Sequence, residues 1–301
     1  MATSPPRRVL DPQVVSRLGR LDLKARLVVE GFISGLHKSP FHGFSVEFVE
    51  HRQYMPGDPL KSVDWKVYAK SDRFYVKQYE DETNLRAHLV VDHSASMAWA
   101  SRPGAVTKLE YARSLAAALA YLMLHQQDAV GLLTFAEKIE TFVPARARRS
   151  HLEVILRELD RMVPGGKTAL GESLHHLAER VRMRGLIILF SDLMAPPESV
   201  LSGLAHFRHG HHEVLVFHIL DPAERTFDFG EPATFVDQET GEEVALEPWE
   251  VRGNYKERMN AWLERYRSEC RRTQVDYVPI DTTTPYDQAL FAYLEKRRRL
   301  H

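Results

Sequence analysis

Residues 88–99 read "HLVVDHSASMAW", an apolar run that ends on an acid and two hydroxyls. Asp92, Ser94 and Ser96 stand on alternate positions, so in extended chain all three oxygens can turn to one point. A hard cation such as Mg²⁺ takes oxygen ligands of this kind. The same residue types also cap helices, and the stretch alone leaves both readings open. What surrounds it decides the fold.

Working outward, apolar strands alternate with amphipathic helices from about residue 85 onward. "AHLVVD" (87–92), "GLIILFSD" (185–192), "HEVLVFHIL" (212–220) and "VDYVPID" (275–281) read as strands. "AVGLLTFA" (129–136) and "KIETFVPA" (138–145) read as a strand pair joined by a tight turn. Helices are expected over 108–127, 150–162, 169–182, 197–209 and 255–273, with a last one from about Tyr286. Strands apolar on both faces and separated by helices predict an α/β domain with a doubly wound, mostly parallel sheet. Residues 221–254 interrupt this alternation and suggest an inserted β-hairpin, with "ATFVDQ" and "EEVALEP" as strands and "ETG" at the turn. Upstream, residues 12–36 carry helical spacing, and 42–83 show alternating segments and a "PGDP" turn that suggest short strands. The expected division is therefore 1–84, a small helix-plus-hairpin segment, and 85–301, the α/β domain.

In such sheets ligands bind beyond the carboxyl ends of the strands, where the winding reverses. Asp92 ends one strand and Asp192 ends another; Thr168, in "PGGKTALGES", sits in a loop just before a helix. Two carboxylates and three hydroxyls suit Mg²⁺ or Mn²⁺, with room for water or for a carboxylate from another protein.

These residues resemble a known site. "DHSAS" at 92–96, Thr168 in "GGKTALGESL" and Asp192 in "LFSDL" are similar to the metal-ion-dependent adhesion site of von Willebrand factor A domains. "YMPGDPLKSVDWKVYAKSDRFYVKQYEDE" (54–82) and "VDYVPIDTTTPYDQALFAYLEKR" (275–297) resemble the flanking segments of the bacterial family called domain of unknown function 58. The resemblance implies a von Willebrand factor A-like fold and metal ligation by Asp92, Ser94, Ser96, Thr168 and Asp192. It also implies partnership with a MoxR-type AAA+ ATPase, beside which such proteins are often encoded. Many members carry N-terminal membrane helices; no such window stands in this sequence.

Composition narrows the function classes. Lys+Arg 40 against Asp+Glu 41 gives a formal charge of −1, so no global field calls for nucleic acid, and runs such as "ARARRS" (145–150) read as solvated faces. Cys270 is the only cysteine, which fits a reducing compartment, and a cytoplasmic location without membrane insertion is the expectation. "GGKT" lacks the glycine of a phosphate loop, since Arg161 stands there, and it follows a helix rather than a strand. His206, His209, His211 and His212 crowd a helix end, where the dipole accounts for them. Asp58 and Asp64, near Trp65, have no evident working separation, and Trp65 reads as a buried staple. Ser94 and Ser96 lack a nucleophile-elbow context, and His93 points away from them.

The expected function is a metal-dependent protein-interaction module, an adaptor or assembly factor and not an enzyme. Its partner would be the ATPase or a client presenting Asp or Glu to the metal. Phe227, Phe229 and Trp249 of the insertion could rim that interface, or could simply pack the hairpin onto the sheet. The alternative is a Mg²⁺-dependent phosphoester hydrolase, against which no cation besides Lys167 is evident near the site.

Overall fold

The computed structural model describes residues 10–36, 51–53, 74–77 and 85–300. Asp58, Asp64, Trp65 and most of the strands expected over 42–83 lie outside them. Two short strands of that segment, β1 (His51–Gln53) and β2 (Tyr75–Lys77), pair antiparallel.

Six further strands form the central sheet: β3 (Arg86–Asp92), β4 (Ala129–Phe135), β5 (Ile139–Arg146), β6 (Leu186–Ser191), β7 (Glu213–Leu220) and β10 (Asp276–Asp281). Their spatial order is β10-β7-β6-β3-β4-β5, parallel throughout except that β5 runs antiparallel to β4 at one edge. The expected doubly wound α/β sheet is what forms. β3, the first strand, lies in the middle, and the chain builds outward to β4 and β5 before returning to lay β6 on its other side. The reversal point therefore falls between β3 and β6.

Alternate residues of each strand feed opposite layers, which is why these strands read as unbroken apolar runs. Leu186, Ile188 and Phe190 of β6 join α3 (Lys108–His125), α4 (His151–Arg161) and α9 (Tyr286–Arg298) on one face. Ile187 and Leu189 join α5 (Leu170–Arg180), α6 (Pro197–His209) and α8 (Pro248–Arg272) on the other. α3 is buried almost all round because the N-terminal helix α2 (Leu21–Leu36) covers its outer side through Val28, Val29 and Phe32. Close approach of α5 and α6 needs glycine: a Cβ on Gly203 would stand 2.6 Å from that of Leu174.

Three expectations are corrected. The helix expected over 12–36 is two helices, α1 (Pro12–Ser16) and α2, parted at Gly19. The insertion is shorter than 221–254. After a short helix, α7 (Pro222–Thr226), strands β8 (Ala233–Val236) and β9 (Glu243–Leu246) form the expected hairpin, but α8 already starts at Pro248. Proline at a first helical position is pre-set for that start, and the reading from Tyr255 missed two turns. Trp249 consequently lies on a helix.

Candidate metal and partner-recognition site

Asp92 and Asp192 leave the ends of the paired strands β3 and β6, and both are fully buried. The Asp92 carboxylate accepts the Ser94 amide at 2.9 Å and the Ser191 hydroxyl at 2.7 Å. The Ser94 and Ser96 hydroxyls lie 3.1 Å apart, and Ser96 helps to hold the Asp192 carboxyl low. Four of the five expected ligands thus gather at the ends of β3 and β6.

Thr168 comes from the third loop of the crevice. That loop is tied to the Asp92 loop by two backbone bonds, Ala95 N–H to Gly166 C=O at 3.2 Å and Gly165 N–H to His93 C=O at 3.0 Å. Gly166 has φ +73°, a left-handed turn that suits glycine. The Thr168 hydroxyl is bonded to Glu239, at the tip of the β8–β9 hairpin, and its amide donates to the same carboxylate at 3.0 Å.

One cation stands where none was expected. The Lys108 ammonium, at the first turn of α3, donates to Asp192 at 2.7 Å and to Glu224 of α7 at 2.6 Å. Glu224 also closes a capping box with Asp221, the residue ending β7. Lys167, the cation the sequence reading did name, lies close enough to Asp237 of the hairpin to depress its pKa. His218 of β7 supports the site from behind. Its Nε2–H donates to the Asp192 carbonyl at 2.8 Å, and its Nδ1 accepts the Tyr277 hydroxyl at 2.6 Å. Burial pushes this imidazole down to about 3, so it is neutral.

The electrostatics divide the two aspartates. Burial raises Asp192, but the Lys108 ammonium overcomes it and holds the carboxyl below its ordinary range. Among the described residues Asp92 has no such partner. Burial, and then the Asp192 charge, push it up to about 7. Among the described residues the Lys108 ammonium pairs with two of the three carboxylates, Asp192 and Glu224, so with Asp92 also ionised these groups carry excess negative charge.

This donor set fits Mg²⁺ or Mn²⁺. It offers two carboxylates and hydroxyls, no sulfur and no imidazole nitrogen, and one carboxylate whose ionised form lacks a counter-charge among the described residues. Among the described residues no three His, Cys, Asp or Glu side chains form a metal cage. A cation here would accordingly retain water or exchangeable ligands.

His93 is buried away from the crevice, with Nδ1 3.1 Å from the Val163 carbonyl. His206 meets His175 of α5 at 3.0 Å, while His212 is buried against the Val181 carbonyl. Cys270 is buried and its thiol is pushed up to about 12, leaving it inert. Phe227 is corrected from rim to packing: it is 8% exposed and stacked on Phe235 and Tyr255, with Phe229 edge-on. Trp249 is 48% exposed, as are neighbouring apolar side chains Val236 and Val244 to similar degrees.

Sequence reasoning missed Lys108, Ser191, Glu224, His218 and Glu239. A lysine in the first turn of a helix opposes the dipole and could have marked Lys108. "DPAE" at 221–224 is legible as a capping box, though not as a contact with Lys108. Nothing local marks Glu239.

The model of the family described as "Protein of unknown function DUF58" matches residues 50–264. An uncharacterized protein of Mycobacterium tuberculosis (strain ATCC 25618 / H37Rv) is 31% identical over 219 residues, covering 71% of this chain and 67% of that protein. Among solved structures, the conserved hypothetical protein BatB from Bacteroides thetaiotaomicron is 17% identical, with a TM-score of 0.45 over 71% of this chain and 99% of that one. The SpRpn10 VWA domain is 12% identical, with a TM-score of 0.38 over 68% and 94%. No helix of the described residues is long and apolar enough to cross a membrane.

Proposed function

Given that the chain belongs to the DUF58 family, we propose that it is a protein-interaction module whose recognition crevice lies at the carboxyl ends of β3 and β6. The observation that supports this most is the Asp92 carboxylate, fully buried beside Asp192, with no cation of its own among the described residues and pushed up to about 7. A buried charge of this kind is costly unless something pairs with it. Asp92, Ser94, Ser96, Thr168 and Asp192 are the residues that would hold Mg²⁺ or Mn²⁺. When bound, the metal would supply a Lewis-acidic position for an anionic oxygen.

The protein's own groups prepare that position. Ser191 and the Ser94 amide fix the Asp92 carboxylate, while Lys108 and His218 fix Asp192. The partner is a protein presenting Asp or Glu, and a MoxR-type AAA+ ATPase is the first to test. Trp249, Val236 and Val244 offer exposed apolar surface near the hairpin for the remainder of the contact. Hydrolase chemistry finds less support. Ser191 is fully buried and committed to Asp92, and the Ser94 and Ser96 hydroxyls lie within hydrogen-bond distance of each other.

Co-purification with the ATPase, with and without chelator, tests the reading. Binding should disappear with EDTA and in Asp92→Ala. A complex that survives both would place the interface elsewhere.

A further inference from the structure

The hairpin tip reaches the crevice with a carboxylate already in hand. Both oxygens of Glu239 are taken by one residue, Thr168, through its amide and its hydroxyl. Glu239 is half-buried, whereas Asp237, Gln238 and Thr240 around it are exposed. The tip is built to present it. Asp237 accepts the amides of Glu239 and Thr240 at 2.7 and 2.9 Å, and Gly241, with φ +74°, turns the chain back to donate to the Asp237 carbonyl. The Thr240 and Glu239 amides hold the Asp237 carboxyl low, with smaller help from the Thr240 hydroxyl and the Lys167 ammonium.

The rest of the hairpin is lightly held. Its strands are four residues each, and a two-stranded ribbon of that size has little stability alone. Its root is fixed by the rings of Phe227, Phe229, Phe235 and Tyr255 and by Arg252, which donates to the Phe227 and Phe229 carbonyls.

We propose that Thr168 is a carboxylate-accepting position which this chain fills with its own Glu239, and that a partner's Asp or Glu must displace the hairpin tip to bind. The inference rests on the crevice being the recognition site, and it adds who occupies that site beforehand. The tethered Glu239 competes at the high effective concentration of an intramolecular ligand. Binding by a partner would then couple to opening of residues 233–246.

Two measurements on the full chain test this. Hydrogen exchange of residues 237–242 should be at least about tenfold faster in Glu239→Gln and in Thr168→Val than in wild type. Exchange in β3 and β6 should not change, which also shows that the variants fold. Unchanged exchange at the tip would overturn the latch. Next, a synthetic peptide of residues 233–246 is titrated into each chain in Mn²⁺ and again in EDTA. It should bind Glu239→Gln at least about tenfold more tightly than wild type, and the peptide made with Gln at position 239 should not bind. Equal affinity, or no binding by either chain, would overturn the carboxylate position. A difference between the chains that persists unchanged in EDTA would keep the latch and remove the metal from the account.

Discussion

At the scale of single residues, the site is a problem in charge pairing. Lys108 satisfies Asp192 and Glu224 together, and it is itself fully buried. Replacing it by Met leaves two carboxylates without a cation, and breaking a buried pair in this way costs about 3–5 kcal/mol. Urea unfolding of Lys108→Met checks the loss. Mn²⁺ should restore more stability to this variant than to wild type, because the metal can take over part of the ammonium's role. Asp92 presents the opposite case. Its pKa is raised in the folded state, so between the ordinary carboxyl value and about 7 the folded chain holds a proton that the unfolded chain has lost. Metal-free stability is then greatest at low pH in this window and falls as pH rises through about 7, by up to about 1.4 kcal/mol per pH unit. Asp92→Asn should flatten that slope in thermal unfolding followed from pH 5 to pH 8. A slope identical in the two proteins would mean that Asp92 is not the group responsible. The candidate site residues were readable in sequence because each ends or follows closely on a strand or stands just before a helix. Lys108 was not, since its partners lie 84 and 116 residues away.

Among the elements, the hairpin is the one whose place depends on tertiary contact. Its two strands and turn were legible from alternation and from "ETG", but not its docking, because Glu239 reaches Thr168 across 71 residues. The aromatic root shows the same limit. Their place in the insertion made Phe227 and Phe229 notable, yet only packing decides that Phe227 is covered and Trp249 is not. Phe227→Ala removes the ring that stacks on both Phe235 and Tyr255, at a local cost of roughly 3–5 kcal/mol. Hydrogen exchange should therefore rise across β8 and β9 while β3 and β6 stay protected. Uniform acceleration through the sheet would show that the hairpin is part of the main cooperative unit. The long helix α8 carries the remaining lesson. Pro248 marks its start as a first-turn proline, but Gly253 and Asn254 disguised those first two turns as loop.

At the scale of the molecule, the sheet order puts the ends of β3 and β6 side by side, which brings Asp92 and Asp192, 100 positions apart, into one crevice. Strand periodicity and the doubly wound rule made that arrangement legible before any coordinates. The charge state of the crevice was not legible, because it depends on burial and on Lys108. The account stands on this crevice accepting a divalent cation through an ionised Asp92. Calorimetric titration of Mn²⁺ into the full chain at pH 8, above the value of about 7 to which Asp92 is pushed, measures that directly. The account predicts one saturable site in wild type, weaker at pH 6 where Asp92 holds its proton, and no measurable site in Asp92→Ala of unchanged fold. Equal Mn²⁺ affinity in wild type and Asp92→Ala would contradict it.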